Sequence, residues 1–299
     1  TAPSCGGTAM TINGTATSYR FTGIHLAQST STTSSIQGNT IQNISWLTTT
    51  GVIATGICTG IYCTGQNVNI GTITGNTIGS GTGTGSIVSQ CNTSGGVAYG
   101  ILVLGNSINV SNNTIGSITT TSSGTGVSHG FVGISSQGVT TFTANNNTIG
   151  STTTANSINC SQASTSSTSQ VLHGIEVLSS ATTVTIQNNT IANLTNAYAG
   201  SATTAALQTR GIYCAFGAPT ITSNTIYNLT SASTNISGTT SAALSGITII
   251  STISAGATVS QNTIHSLSST GASGAIVVNG IYYNGPTTGT NVIARNNIH

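Results

Sequence analysis

The three residues Asn-Thr-Ile recur along the chain at a nearly constant interval, and this repeat limits the accessible folds more than any other feature. Seven copies begin at Asn39, Asn76, Asn113, Asn147, Asn189, Asn224 and Asn262, and a degenerate Asn-Asn-Ile copy begins at Asn296. Successive copies are 34 to 42 residues apart, and a Gly-Ile pair precedes each by 13 to 16 residues. Two landmarks that keep step over such a period predict a solenoid or a similar repeat array.

Branched apolar residues recur at fixed places around these landmarks. Two residues after the repeat Asn stand Ile41, Ile78, Ile115, Ile149, Ile191, Ile226, Ile264 and Ile298. Three residues before it stand Ile36, Ile73, Val110, Ala144, Ile186, Ile221, Val259 and Ile293. The isoleucine of each Gly-Ile pair is followed two positions later by another residue predicted to face inward, and this i, i+2 spacing is typical of β-strands.

The fold class predicted from these patterns is all-β, a single-stranded parallel β-solenoid of about eight turns. Residues 1–299 form one continuous domain, in which 1–22 are irregular or a partial first turn and 23–299 are the eight repeats. An antiparallel sandwich would not require the same side chain at the same corner of successive units. The Ser/Thr-rich run after each Asn-Thr-Ile strand, such as residues 151–170, is expected to be a protruding loop.

The repeated Asn and Ile residues are predicted to form a structural ladder. An Asn at a corner accepts a left-handed backbone conformation and can hydrogen-bond to its counterparts in neighbouring turns. The ladder comprises the seven Asn residues from Asn39 to Asn262 and the seven Ile residues from Ile41 to Ile264. The glycine of each Gly-Ile pair is expected to make a second tight bend.

Charged side chains are almost absent, which argues against most enzyme classes. The chain contains three Arg, no Lys and a single carboxylate, Glu176. A glycosidase needs two carboxyl groups, so no catalytic residue is predicted. Strand alternation directs Glu176 outward, to a surface position near Arg210 of the next turn. Without clustered basic residues, the sequence predicts neither nucleic-acid binding nor attraction to anionic lipid.

The histidines and cysteines do not predict a metal site or another cofactor. The histidines stand at repeat positions that we expect to differ: His25, His129, His173, His265 and His299. Cys63 and Cys214 occupy an inward position and are expected to be buried. Cys91 and Cys160 fall in predicted loops, and a disulfide between them requires the loops to bend together. Cys5 and Cys58 complete an even count that leaves the connectivity open.

Hydroxyl and aromatic side chains give weaker indications. A threonine follows the repeat Asn in seven turns: Thr40, Thr77, Thr114, Thr148, Thr190, Thr225 and Thr263. The positions two residues after these threonines do not form a second threonine column. This strand therefore does not predict the two-column hydroxyl face expected of an ice-binding protein. Tyr62 and Tyr213 are predicted to point outward four turns apart. Glycosylation sequons at one shared repeat position begin at Asn43, Asn193 and Asn228.

The repeated Asn-Thr-Ile, Gly-Ile-x-Val and Val-x-Ile segments resemble the right-handed parallel β-helix repeats of the pectin-lyase-like superfamily, including the Asn-rich repeats of large bacterial surface proteins. The resemblance covers residues 23–298. It implies the fold and its right hand, and a range of functions from polysaccharide lyases and hydrolases to tailspikes and adhesins. The clustered aspartates of the catalytic members have no counterpart, because this chain has no Asp.

We therefore expect a non-catalytic, extracellular or cell-surface fibre protein. The sequence shows no signal peptide, no membrane span and no recognisable cap, so it is expected to be a segment of a longer chain or a subunit that associates end to end. Two alternatives stay open. One is an adhesin or tailspike-like module that binds glycans, and the other is a non-catalytic segment of a carbohydrate-active β-helix enzyme.

Overall fold

The computed structural model describes residues 9–14, 19–29, 32–48, 56–92, 95–122, 127–161, 170–178, 183–197, 207–234, 242–251, 256–271, 276–285 and 288–299. These residues form three parallel sheets and no helix. Each turn of the chain contributes in order to the GI sheet, which contains the Gly-Ile pairs, to the middle sheet and to the NTI sheet, which contains the Asn-Thr-Ile copies. The predicted all-β parallel β-solenoid is confirmed.

The GI and middle sheets have eight strands each, and the NTI sheet has thirteen. The GI strands are Phe21–Leu26, Cys58–Cys63, Gly96–Val103, His129–Ser136, Gln170–Val177, Leu207–Cys214, Leu244–Ile249 and Val278–Tyr283. The middle strands are Ser34–Ile36, Asn67–Ile70, Ser107–Ser111, Thr141–Asn145, Thr183–Gln187, Pro219–Thr222, Thr258–Ser260 and Val292–Ala294. The NTI strands are Met10–Asn13, Thr40–Ile41, Ile44–Thr48, Thr77–Gly79, Ile87–Cys91, Thr114–Gly116, Ile118–Thr121, Thr148–Ile149, Ile158–Cys160, Thr190–Asn196, Thr225–Ser231, Thr263–Ser269 and Asn297–Ile298.

Equivalent residues of successive turns pair in register. In the NTI sheet, for example, Ile115 pairs with Ile149 and Ile149 with Ile191. The sequence predicts about eight turns, and six of them lie between neighbours on both sides, while the first and last strands of the GI sheet pair on one side only. Met10–Asn13 adds a parallel strand beside Ile44–Leu47, so part of the segment before residue 23 belongs to the NTI sheet.

The interior of the solenoid is one continuous stack of branched side chains. Ile115, Ile149 and Ile191 are fully buried. One predicted core residue is misplaced, because Ile73 is 85% exposed and Ile70 fills its place opposite Ile36 and Val110. The corner at residues 71–76 is longer in this turn, so counting back from the Asn selects the wrong residue.

At the corner before the Asn-Thr-Ile strand, one residue adopts the left-handed conformation and the next, the repeat Asn, makes the hydrogen bonds. The prediction that the repeat Asn does both is therefore wrong. The preceding residue takes the left-handed conformation, as at Asn112, Asn146 and Asn188, whose φ angles are 55 to 59°. The repeat Asn is left free to hydrogen-bond. In several turns a second left-handed corner lies four residues after the repeat Asn, for example at Asn193 and Asn228.

The prediction that the Gly-Ile glycine makes a tight bend is wrong. Gly174 lies inside the strand Gln170–Val177 and is not among the residues with positive φ. A Cβ atom added there would lie 2.6 Å from the Gly211 carbonyl oxygen and 2.7 Å from Cγ2 of Ile191. The same glycine-to-isoleucine contact recurs from Gly23 to Gly280. The glycine is therefore required because the Asn-Thr-Ile isoleucine packs against its backbone from across the interior.

The segment after the Asn-Thr-Ile strand is also more ordered than predicted. Within residues 151–170, Ile158–Cys160 forms a further strand of the NTI sheet and pairs with Ile118–Thr120. Ile87–Cys91 takes the corresponding place in an earlier turn. Residues 162–169 of this predicted loop lie outside the described residues.

Candidate functional site

The repeat Asn side chains form a buried row of hydrogen bonds that runs along the solenoid. Nδ2 of Asn113 donates to Oδ1 of Asn147 at 3.0 Å and to the Ile70 carbonyl at 3.0 Å, while the backbone N–H of Asn113 donates to the same Oδ1. The side-chain step has a length of 2.8 to 3.0 Å throughout: Asn39 to Asn76, Asn76 to Asn113, Asn113 to Asn147, Asn147 to Asn189, Asn189 to Asn224, Asn224 to Asn262 and Asn262 to Asn296. The row bonds each corner to both neighbouring turns.

His129 anchors a second buried polar group, where the NTI sheet meets the GI sheet. Its Nε2 lies 2.9 Å from Oγ of Ser89, and its Nδ1 lies 3.2 Å from the Gly96 carbonyl. Because a carbonyl can only accept, Nδ1 carries the proton and Nε2 accepts from Ser89. Burial lowers the pKa of His129 to about 4, and the hydrogen bond to Gly96 opposes this shift. The ring is therefore neutral and structural.

The outer face of the GI sheet brings together several of the chain's few ionisable side chains. Glu176 lies there, as alternation predicts, but the prediction that it is a surface residue is wrong because it is only 4% exposed. Its Oε1 accepts a 2.7 Å hydrogen bond from Oγ of Ser135, and its Oε2 lies 2.9 Å from Nδ1 of His173. Gln137 extends the group by donating to Ser135 at 3.1 Å.

This arrangement differs from a catalytic triad in one decisive respect. In a triad the histidine accepts the proton of the serine, whereas here the carboxylate accepts from Ser135 and from His173 separately. Nε2 of His173 is buried and has no hydrogen-bond partner among the described residues. His173 is therefore not placed to take the proton of Ser135, whose hydroxyl donates to Glu176 instead. The carboxylate of Glu176 orients both the His173 ring and the Ser135 hydroxyl.

Arg210 lies close to the predicted position, next to His173 in the neighbouring strand. Its guanidinium carbon lies 4.1 Å from the centre of the Tyr213 ring, in a cation–π contact. Burial lowers the pKa of Arg210, and the interactions with Tyr213 and Glu176 oppose that effect. Burial likewise lowers the pKa of His173, against the effect of Glu176. The charged side chains of this cluster, Glu176 and Arg210, are buried rather than exposed to solvent.

The cysteines behave as buried apolar residues. Cys91 and Cys160 lie in strands rather than in the predicted loops. Cys160 is a free thiol, so no disulfide joins it to Cys91. Burial raises the pKa of Cys58, Cys160 and Cys214 to about 12, which keeps these thiols protonated and unreactive. Cys5 lies outside the described residues.

Two histidines do share a repeat position, contrary to the sequence-based expectation. Tyr227, His265 and His299 stack on the outer face of the NTI sheet, with ring centres 5.1 Å apart and planes inclined by 7° at each step. A groove of about 360 Å³ lies nearby on the same sheet. Neutral polar side chains form most of its lining: Asn156, Asn193, Thr195, Asn228, Thr230, Ser266 and Ser268. Tyr62 is buried against His25 and far along the chain from this stack.

The three sequons at the shared repeat position have different surroundings. Asn43 and Asn228 are exposed. Asn193 is 7% exposed, and its amide donates to the Ser151 carbonyl at 2.7 Å. Of these three side chains, only those of Asn43 and Asn228 are therefore accessible at the surface of the folded protein.

No family model, curated protein or solved structure matches the chain. In the part of the chain that the structure describes, no helix meets the length and hydropathy required to cross a membrane. The same described residues contain no group of three or more His, Cys, Asp or Glu side chains placed to hold a metal ion.

Proposed function

We propose that this chain is a structural rod, a stiff extracellular or cell-surface spacer without catalysis. The observation that carries the proposal is the buried Asn row, which joins all eight corners by side-chain hydrogen bonds. Adjacent turns are also held by in-register parallel strands in three sheets. Eight turns at the spacing of β-strands give a rod on the order of 40 Å long.

The rod either continues in a longer chain or associates end to end with further copies. In-register stacking of equivalent residues supports both arrangements, because a new turn repeats the contacts of the last one. On the resemblance to pectin-lyase-like β-helices, we also propose that the coil is right-handed.

Single-molecule force spectroscopy tests the structural role. The protein is held between terminal tags, and we expect stepwise extension at a high force because each turn must break its ladder bonds and strand pairs. The variant Asn147→Ala should unfold at lower force, while Asn146→Gly, on the exposed neighbour, should match the wild type. A wild-type rod that extends at negligible force would contradict the proposal. Electron microscopy of the purified native protein then distinguishes continuous filaments from discrete short rods.

A glycan-binding module is the second candidate, and the Tyr227, His265 and His299 stack favours it. The ring edges and outer ring faces of this stack are apolar, and the neutral amide and hydroxyl groups of the neighbouring groove can bind the hydroxyls of an uncharged sugar. The described part of the groove lining contains no charged residue, so a neutral glycan fits it better than an acidic one.

A glycan-array screen with Tyr227→Ala tests this candidate. Binding of a neutral oligosaccharide should be lost in Tyr227→Ala and kept in Tyr282→Ala, which removes a half-buried tyrosine from the GI sheet. If both variants bind like the wild type, or if the wild type binds no glycan, the groove has another role.

A further inference from the structure

The outer face of the middle sheet carries rows of hydroxyl side chains. Four successive turns place a Thr-x-Thr or Thr-x-Ser pair there: Thr141 and Thr143, Thr183 and Thr185, Thr220 and Thr222, and Thr258 and Ser260. The residues between them, such as Phe142, Val184 and Ile221, are buried in the core. Both members of each pair therefore point away from the interior.

The strand register aligns these side chains in rows along the rod. Thr143 pairs with Thr185, Thr185 with Thr220 and Thr220 with Thr258. Two shorter rows flank this central row: Thr141 and Thr183 lie on one side of it in the first two turns, and Thr222 and Ser260 lie on the other side in the next two. Neighbours in a row are about 4.8 Å apart, and the two members of a pair are about 6.6 Å apart.

The surroundings of the rows are uncharged and accessible. Thr183 and Thr220 are exposed, and Thr143, Thr185 and Thr258 are half-buried. The rows continue toward the amino terminus through Asn109, Asn69 and Ser35, which are also neutral. The described positions of these rows include no ionisable side chain. A charged group would hold its own hydration shell, so its absence leaves a regular surface of methyl and hydroxyl groups.

We propose that this face of the middle sheet binds ice. Its occupant is a crystalline water lattice, because the two regular spacings are of the same order as repeats between oxygen atoms on faces of hexagonal ice. Threonine suits this role since its methyl group orders water around it while its hydroxyl bonds into the ordered layer. The ladder and the packed isoleucines hold the rows in place, so no side-chain rows have to be assembled on binding. This activity goes beyond the rod function and does not depend on it.

The test measures ice-recrystallisation inhibition and thermal hysteresis of the whole protein. The wild type should shape ice crystals and slow their coarsening. Thr185→Tyr, which places a bulky ring in the centre of the rows, should lose this activity. The matched control is Thr225→Tyr, the same change in the single threonine column of the NTI sheet, which should keep it. Circular dichroism verifies that both variants are folded.

Several results would overturn the assignment. A wild-type protein without activity on ice rules out the proposal regardless of any variant. Loss in Thr225→Tyr with activity retained in Thr185→Tyr places the surface on the NTI sheet instead. If Thr185→Tyr does not fold, Thr143→Tyr on the same row replaces it. Equal loss in the folded row and control variants would show that the rows have no specific role.

Discussion

At the scale of single residues, the stability of the solenoid depends on polar side chains as much as on apolar ones. Asn147 takes part in four hydrogen bonds through its side chain: it donates to the Val110 carbonyl and to Asn189, and its Oδ1 accepts from the backbone and side chain of Asn113. All of these groups are buried. Each bond replaces a contact with water that the interior cannot supply, so its loss leaves polar groups without a partner.

We predict that Asn147→Ala lowers the free energy of unfolding by about 3 kcal/mol, because it leaves the Asn113 N–H and the Val110 carbonyl unsatisfied. Equilibrium unfolding in guanidinium chloride measures the change. The neighbouring control Asn146→Gly, at a left-handed corner that glycine accepts, should cost little. Equal losses in the two variants would show that the corner conformation, not the ladder, determines stability.

A second residue-scale prediction concerns pH. Burial lowers the pKa of His129 to about 4 in the folded protein, below its ordinary value of 6.5, so the unfolded chain binds the extra proton first as pH falls. Stability should therefore be complete above pH 6.5 and decrease by about 3 kcal/mol toward pH 4. Urea unfolding at several pH values measures this slope, to which the lowered pKa of His173 adds in the same direction.

The variant His129→Gln isolates the contribution of this ring. It should be less stable than the wild type at pH 7, because the hydrogen bonds to Ser89 and Gly96 are disturbed. Its stability should also depend less on pH between 6.5 and 4. A slope identical to that of the wild type would assign the acid sensitivity to other groups.

At the scale of strands, the contacts between sheets explain why the repeat is so strict. The glycine of the GI strand and the isoleucine of the NTI strand of the same turn lie in contact across the interior, as Gly174 and Ile191 do. Neither residue can change alone. A larger side chain at the glycine enters space that the isoleucine occupies, and a smaller one at the isoleucine leaves a cavity.

We predict that Gly174→Ala destabilises the protein by about 1–3 kcal/mol, the usual cost of overpacking a core. Its Cβ would lie against both the Gly211 carbonyl and the methyl groups of Ile191. Thermal unfolding compares it with Gly138→Ala, where an added Cβ meets nothing within 4 Å but φ is 77°. A larger cost at Gly138 would mean that backbone conformation outweighs packing.

The sequence predicts the repeated inward positions and the parallel stacking of strands well, and the contacts between sheets across the interior poorly. Periodicity alone identifies the isoleucine columns, since every turn repeats the same inward positions. It cannot show that Gly174 faces Ile191, because that contact crosses the interior between residues that are 17 positions apart in the sequence. The burial of Glu176 is missed for a similar reason, as alternation gives the face of a sheet but not what covers it. The doubled Asn at 112, 146 and 188 was the available signal for the left-handed corner.

At the scale of the whole molecule, the structure behaves as a one-dimensional stack of similar units. Each turn contacts its neighbours through three sheets and one ladder, and strand pairs join adjacent turns. The stability of such arrays is approximately a sum of terms for each unit and each interface. The number of turns should therefore be adjustable without loss of the fold.

We predict that removal of residues 190–224, one complete repeat of 35 residues, gives a folded solenoid that is one turn shorter. The junction places Thr225 after Asn189 and preserves the order of landmarks. Removal of residues 207–224 alone should prevent folding, because the turn then lacks its GI and middle strands. Circular dichroism and chemical unfolding compare the two. A shorter chain that fails to fold after the full-turn deletion would contradict the additive description.

The Asn row also gives the rod a direction. In the Asn-to-Asn bonds, each side-chain amide donates to the Asn of the carboxyl-terminal turn and accepts from the Asn of the amino-terminal turn, so these bonds all point the same way. Hydrogen bonds aligned in this way polarise one another. The two ends of such a rod therefore differ. A partner that extends the row must place amide oxygens where the last amide N–H groups of the row can donate to them. Copies joined through this row can only follow one another head to tail, so any polymer formed in this way would be a polar filament without a two-fold centre.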